Sequence, residues 1–170
     1  VSVLTGEFRS RYGLDNILGG SAAIRDLVGR VARVAPSDAT VLVMGESGTG
    51  KELVARALHA ASRRAQRPFV PINCAAITPT LLESELFGHA RGAFTGAVAA
   101  RDGYVAAAEG GTLFIDEVAD MSALAQVRLL RFLQGREYQR LGETESRRAD
   151  VRVVSATNVD LACRVREGRF

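Results

Sequence analysis

The 170-residue sequence predicts a three-layer α/β domain, in which helices cover both faces of a parallel sheet. Three observations predict it. Short apolar, β-branched runs alternate with helical stripes along the chain. A glycine-rich turn follows the first such run and opens a helix. A later apolar run ends in two carboxylates, and open parallel sheets bind ligands at the carboxyl ends of their strands.

Val1–Leu14 reads as a polar-mixed lead-in, a linker from an upstream domain, with the core spanning 15–170. Ser21 is placed to cap a helix whose apolar stripe is Ile24, Leu27, Val28, Val31 and Val34. Pro36 stops it. Val41–Met44 is a strand and Gly45–Gly50 a turn, followed by a helix over Glu52–Ala61. Phe69–Asn73 is a second strand, and Leu81–Phe87 a short helix. Gly88–Arg101 breaks the alternation like an insertion. Tyr104–Glu109 returns to helix, Leu113–Ile115 is a fully apolar strand, and Ala123–Gln134 is a helix. Tyr138–Asp150 is polar and hairpin-like, Val151–Ala156 a further strand, and Leu161–Glu167 the last helix.

Composition narrows the class. The chain is 47% hydrophobic and 24% charged, ordinary for a globular α/β domain. No apolar run reaches membrane-spanning length and no signal-peptide pattern opens the chain, so a cytoplasmic location and no membrane partner are expected. Cys74 and Cys163 are too few for a zinc site and are expected to be reduced. A net charge of +3 gives little reason to expect nucleic-acid binding by this segment. Of 22 basic residues only Lys51 is lysine, and it stands where a compact ammonium serves phosphates.

Gly45-Glu46-Ser47-Gly48-Thr49-Gly50-Lys51 matches the G-x-x-x-x-G-K phosphate loop, with a strand before it and a helix after. Glycines let main-chain N–H groups turn toward an anion, and the helix adds its positive end. The next residue is Glu52, where most such loops have a hydroxyl ligand for Mg²⁺. Asp116 and Glu117 follow Lys51 by 65 and 66 residues. Asp116 at a strand end can hold Mg²⁺, and Glu117 can polarise a water aimed at a γ-phosphate. The Asp-Glu order points to hydrolysis rather than to a nucleotide-locked structural site.

Two amides end strands. Asn158 is placed to sense a γ-phosphate or to orient water, although Asn is also a plain turn residue. Asn73 can hydrogen-bond Glu117 and hold it off the water. His59 and His89 are expected at a helix surface or in a loop, without a catalytic role. Gly92-Ala93-Phe94-Thr95-Gly96-Ala97 combines small residues with one aromatic, so Phe94 either tips a movable docking loop or folds back into the core.

From about Asn16 to Phe170 the sequence resembles the central AAA+ domain of sigma-54-dependent transcriptional activators. The resemblance lies in Gly-Glu-Ser-Gly-Thr-Gly-Lys-Glu at 45–52, in Glu85-Leu86-Phe87-Gly88-His89 followed by the Gly-Ala-Phe-Thr-Gly-Ala loop, and in Gly110–Glu117. It implies an AAA+ P-loop NTPase core using ATP and Mg²⁺. By this resemblance Lys51 binds phosphates, Asp116 serves Mg²⁺ and Glu117 activates water. Asn73 restrains Glu117, and Asn158 with Thr157 is the first sensor. Gly92–Ala97, with Phe94 and Thr95 foremost, touch sigma-54. Tyr138–Gly142 form a second pore loop that moves with the first, and Ile17–Gly19 line the adenine pocket. The partners it implies are the sigma-54 RNA polymerase holoenzyme, a homo-oligomeric ring of six or seven subunits, and DNA through a C-terminal domain outside this chain. It also places the arginine fingers and helical lid beyond Phe170, so slow turnover is expected of this segment alone. The rivals are another AAA+ machine, against which the signature loop speaks, and a GTPase, which needs Asn-Lys-x-Asp after a strand. A third is a domain that only binds nucleotide.

Overall fold

The computed structural model describes residues 13, 14, 17 and 19–170. The lead-in before Gly13 and Leu18 of the expected adenine pocket therefore lie outside the described residues.

Helix α1 (Ala22–Val34) opens on the expected cap, with the Ile24 N–H donating to Ser21 Oγ at 3.3 Å. Then come β1 (Val41–Met44), α2 (Lys51–Ala60), β2 (Phe69–Asn73), α3 (Pro79–Phe87) and α4 (Tyr104–Ala107). Strand β3 (Thr112–Asp116) leads to α5 (Ala123–Gly135), and the short strands β4 (Glu137–Tyr138) and β5 (Arg147–Arg148) form an antiparallel hairpin. The described chain closes with β6 (Arg152–Thr157) and α6 (Leu161–Arg166). Every expected element is present. The boundaries move by one or two residues; α3 starts two residues early, at Pro79, whose missing N–H costs nothing in the first turn.

The main sheet is parallel, in the order β1-β6-β3-β2. Its two faces sort by the alternation of strand side chains. Ile72, Leu113, Ile115 and Val153 pack with Leu82, Leu86, Phe87, Val105, Leu129 and Phe132 from α3, α4 and α5. Phe114, Val154 and Ala156 pack on the other side with Val31, Val54, Ala57 and Leu58 from α1 and α2. All six residues of β6 are buried, as a strand covered on both faces and paired on both edges requires. Among the described residues no helix is long and apolar enough to cross a membrane.

Two buried polar residues fasten this frame. The guanidinium of Arg152, on the first residue of β6, donates to the carbonyls of Val34, Ala35 and Ala39. It thereby ties β6 to the end of α1, where the Val34 carbonyl also accepts from Ser37. His59 is 1% exposed, which corrects its expected place on a helix surface or in a loop. Its Nδ1 shares a hydrogen bond with Thr112 Oγ1, and its ring tilts against Phe69 at 5.3 Å. A neutral imidazole can bury its flat body while its nitrogens stay bonded, so the helix pattern alone could not exclude the core.

Candidate nucleotide site

The register brings the functional side chains to one end of the sheet. Met44 lies beside Thr157, and Asn73 beside Asp116. The phosphate loop leaves β1 there, and its Gly45 N–H donates to the Thr157 carbonyl at 3.2 Å. Gly48 and Gly50 take positive φ of 79° and 85°, conformations that favour glycine. A Cβ on Gly45 would stand 2.9 Å from Thr49 Oγ1, so the loop also needs glycine for space. Thr49 Oγ1 donates to the Glu46 carbonyl at 2.8 Å and tightens the curl. Ser47 is exposed at its outer edge.

Lys51 begins α2 and is 8% exposed. Its ammonium donates to the carbonyls of Gly45 at 3.0 Å and Glu46 at 3.1 Å, and lies 3.7 Å from Glu117 Oε1. A buried ammonium needs such partners, since desolvation without them is costly. The lysine is thus held inside the curl of the loop, facing the carboxylate on the far side of β6.

Glu117 departs from β3 with φ 49°, in the left-handed region that non-glycine residues enter rarely. Such backbone costs about 1–2 kcal/mol and collects at functional positions. Its carboxylate is held from two sides. Lys51 faces Oε1, and the main-chain N–H of Asn158 donates to Oε2 at 3.2 Å.

The expected contact from Asn73 to Glu117 is not the one formed. The side chain of Asn73 accepts from the Ala75 N–H at 2.9 Å and donates through Nδ2 to Asp116 Oδ2 at 3.4 Å. The reason is register. Asn73 and Asp116 are paired residues of neighbouring parallel strands, whereas Glu117 has already turned away toward β6. The Asn158 side chain is exposed, and its main chain, not its amide, engages Glu117. Thr157 is buried, and its hydroxyl accepts from the Val159 N–H.

Glu52 does not stand in for the missing hydroxyl. Its Oε1 accepts from both Nε and Nη2 of Arg56, at 2.9 and 2.7 Å, and the Arg56 guanidinium lies 4.9 Å from the centre of the Phe69 ring. The i,i+4 spacing of Glu52 and Arg56 was a readable signal for this pair. Among the described residues no group of three His, Cys, Asp or Glu side chains is arranged to hold a metal. The donors that remain suit Mg²⁺ all the same, because that ion takes one or two carboxylates together with substrate phosphates and water. Asp116, at the end of β3, would be such a carboxylate. Nearby, burial first and then the charges of Asp120, Asp116 and Glu117 push the Cys74 thiol up to about 12.

Ile17 packs against the core cluster of α1, α2 and the sheet, while Gly19 is exposed and its absent Cβ leaves room for Ile24 at 3.0 Å. The segment Gly92–Ala97 lies along the chain between α3 and α4. His89 and Arg101 close its base by exchanging main-chain hydrogen bonds at 3.0 and 2.9 Å. Gly92 and Ala97 join across it at 2.8 Å. Ala97 is buried and Thr95 exposed. Phe94 is 38% exposed and leans on the edge of the His89 ring at 5.1 Å, between the two expected placements. The second loop is bonded to this base. The Leu141 N–H donates to the Gly88 carbonyl and the Ala90 N–H to the Leu141 carbonyl, each at 2.9 Å. Gly142 abuts Ala93, and Arg140 ion-pairs with Asp102.

Comparisons with known proteins agree with this geometry. The sequence is 58% identical over 154 residues to the transcriptional regulatory protein ZraR of Salmonella typhimurium, covering 91% of this chain and 35% of that protein. It is 52% identical over 168 residues to the Nif-specific regulatory protein of Azotobacter vinelandii, covering 98% of this chain and 32% of that one. The chain thus spans about a third of the length of these curated relatives. The crystal structure of NtrX from Brucella abortus in complex with ATP superposes with a TM-score of 0.86 at 40% identity, over 99% of this chain and 36% of that one. A P-loop NTPase domain of an Escherichia coli sigma-54 activator shares the fold at 22% identity and a TM-score of 0.59. The family model "Sigma-54 interaction domain" matches residues 17–170, and the chain belongs to that family, with the α/β P-loop NTPase fold of sigma-54-dependent activators.

Proposed function

We propose that this chain is the ATP-binding and ATP-hydrolysing module of a sigma-54-dependent transcriptional activator. One observation carries the reading: Lys51 in the phosphate loop and Glu117 at the end of β3 converge to 3.7 Å across the intervening strand. A γ-phosphoryl group seated by Lys51 would then lie beside the carboxylate that polarises the attacking water. Gly45–Lys51 would cradle the phosphates, Glu52 would open the helix beneath them, and Asp116 would hold Mg²⁺, which neutralises charge on the transferring group. Ile17 and Gly19 would border the base. Asn158 would report the γ-phosphate to Glu117 through its own main chain. The ATP complex of the related NtrX supports the choice of nucleotide.

Output would pass to Gly92, Ala93, Phe94, Thr95, Gly96 and Ala97, which would contact sigma-54 in the RNA polymerase holoenzyme. The function of the longer protein would be to remodel that holoenzyme from a homo-oligomeric cytoplasmic ring, with DNA held by another domain. Binding to sigma-54 tests this, measured with no nucleotide, with ADP, and with a transition-state mimic of ATP. Capture is expected with the mimic. Equal capture in all three states, or none in any, would refute the coupling of nucleotide to partner.

A further inference from the structure

We propose that Asn73 is a positioning residue for the Asp116 carboxylate and so sets the affinity for the divalent cation that accompanies the nucleotide. This rests on the reading that Asp116 serves Mg²⁺. It differs from the role that family resemblance gives Asn73, the restraint of Glu117.

The Asn73 amide has a defined orientation. Its oxygen accepts from the Ala75 N–H at 2.9 Å, which caps the single turn Cys74–Ala76. With the oxygen engaged there, the nitrogen faces Asp116. The carboxylate of Asp116 is then gripped on both oxygens. The Glu117 N–H donates to Oδ1 at 3.1 Å and Asn73 Nδ2 to Oδ2 at 3.4 Å. Two donors at separate oxygens fix the rotation of a carboxylate, and each oxygen keeps a further lone pair for a cation. Ligand orientation by outer hydrogen bonds typically changes metal affinity by about tenfold or more when it is lost.

The rest of the site makes this carboxylate matter. Where other phosphate loops supply a hydroxyl ligand, this chain has Glu52, and both donors of the Arg56 fork hold one of its oxygens. Glu117 is restrained without Asn73, by Lys51 and by the main-chain N–H of Asn158. The amide of Asn73 instead donates to the Asp116 carboxylate.

The test separates cation from nucleotide. Affinity for a fluorescent ATP analogue is measured in EDTA and in saturating Mg²⁺, and the ratio of the two is the coupling between metal and nucleotide. Asn73→Ala should reduce that ratio about two- to tenfold, the worth of one ordinary hydrogen bond, while affinity in EDTA stays within about twofold of the unmodified chain. Asn73→Ser keeps an oxygen to cap Ala75 but is too short to reach Asp116, so it should lose as much coupling as the alanine variant. An undiminished ratio in Asn73→Ala would overturn the proposal, as would a serine variant restored to full coupling, which would make the cap the whole effect. Asp116→Asn guards the underlying reading. If it leaves the ratio unchanged, Asp116 does not serve the cation. If it lowers the ratio and Asn73→Ala does not, only the positioning role fails.

Discussion

Nδ1 of His59 and the hydroxyl oxygen of Thr112 lie 2.9 Å apart, a contact that ties the last turn of α2 to the first residue of β3. The helix that begins with Lys51 and the strand that ends in Asp116 are thereby joined at the end opposite the phosphates.

The burial of His59 makes stability depend on pH. The imidazole is held down to about 4 from its ordinary 6.5, chiefly by burial, with Arg152 and Arg56 adding repulsion and a hydrogen bond with the Arg67 backbone opposing the shift. The folded value lies below the unfolded one, so the unfolded chain takes up the proton first. The stability is fully present above about pH 6.5 and falls as pH drops, by about 3 kcal/mol from this group at pH 4. Urea melts at pH 7, 5.5 and 4 should show the decline, and His59→Gln should flatten it. An equally steep decline in the glutamine variant would assign the effect to other groups.

Lys51→Ala should weaken binding of an ATP analogue by about 10–150-fold, the worth of a charge-assisted contact. The variant also strips Glu117 of its cationic neighbour, at 3.7 Å. Fluorescence titration measures this, and unchanged affinity would remove the phosphate loop from the site.

Glu117→Gln should keep nucleotide affinity and slow hydrolysis by about 10²–10⁴-fold in the longer protein. The glutamine can still accept the Asn158 N–H, so the local structure should hold. Turnover within a factor of two of the unmodified protein would exclude Glu117 as the base.

Thr95→Ala should leave nucleotide affinity intact and abolish nucleotide-dependent capture of sigma-54. Thr95 is exposed on a loop whose base is already closed by His89 and Arg101. Loss of both properties together would mark the loop as structural.

Gly142→Val should separate the two loops. A Cβ there would stand 2.8 Å from that of Ala93, and φ is +78°, a region β-branched residues avoid. The expected cost is about 1–2 kcal/mol, with faster hydrogen exchange at the amides of Ala90 and Leu141. Protection equal to that of the unmodified chain would mean that the loops pair without this close approach.

The phosphate loop, the acidic pair and the alternation of strands and helices were legible because each depends on local residue type. Apolar runs announce buried strands, and glycines announce positive φ. What was not legible depends on register and on the main chain. Asn73 meets Asp116 because two strands pair one residue short of Glu117. The donor that reaches Glu117 is a peptide N–H, which every residue but proline carries, so no side chain announces it. His59 was misplaced because burial of a single imidazole follows from tertiary packing, not from a helical stripe.

The strand order also bears on how the site comes into being on the ribosome. Lys51 lies beyond β1 and Asp116 ends β3, yet β6 stands between these two strands. A nascent chain that has emerged only as far as Ala149 carries both motifs and has no strand to bring them side by side. Closure waits for Arg152–Thr157, which must insert between two edges formed more than 30 residues earlier. Contacts of such long sequence separation form slowly and leave open edges exposed meanwhile. The proposed nucleotide site is therefore completed in one late step, with the arrival of its most deeply buried strand.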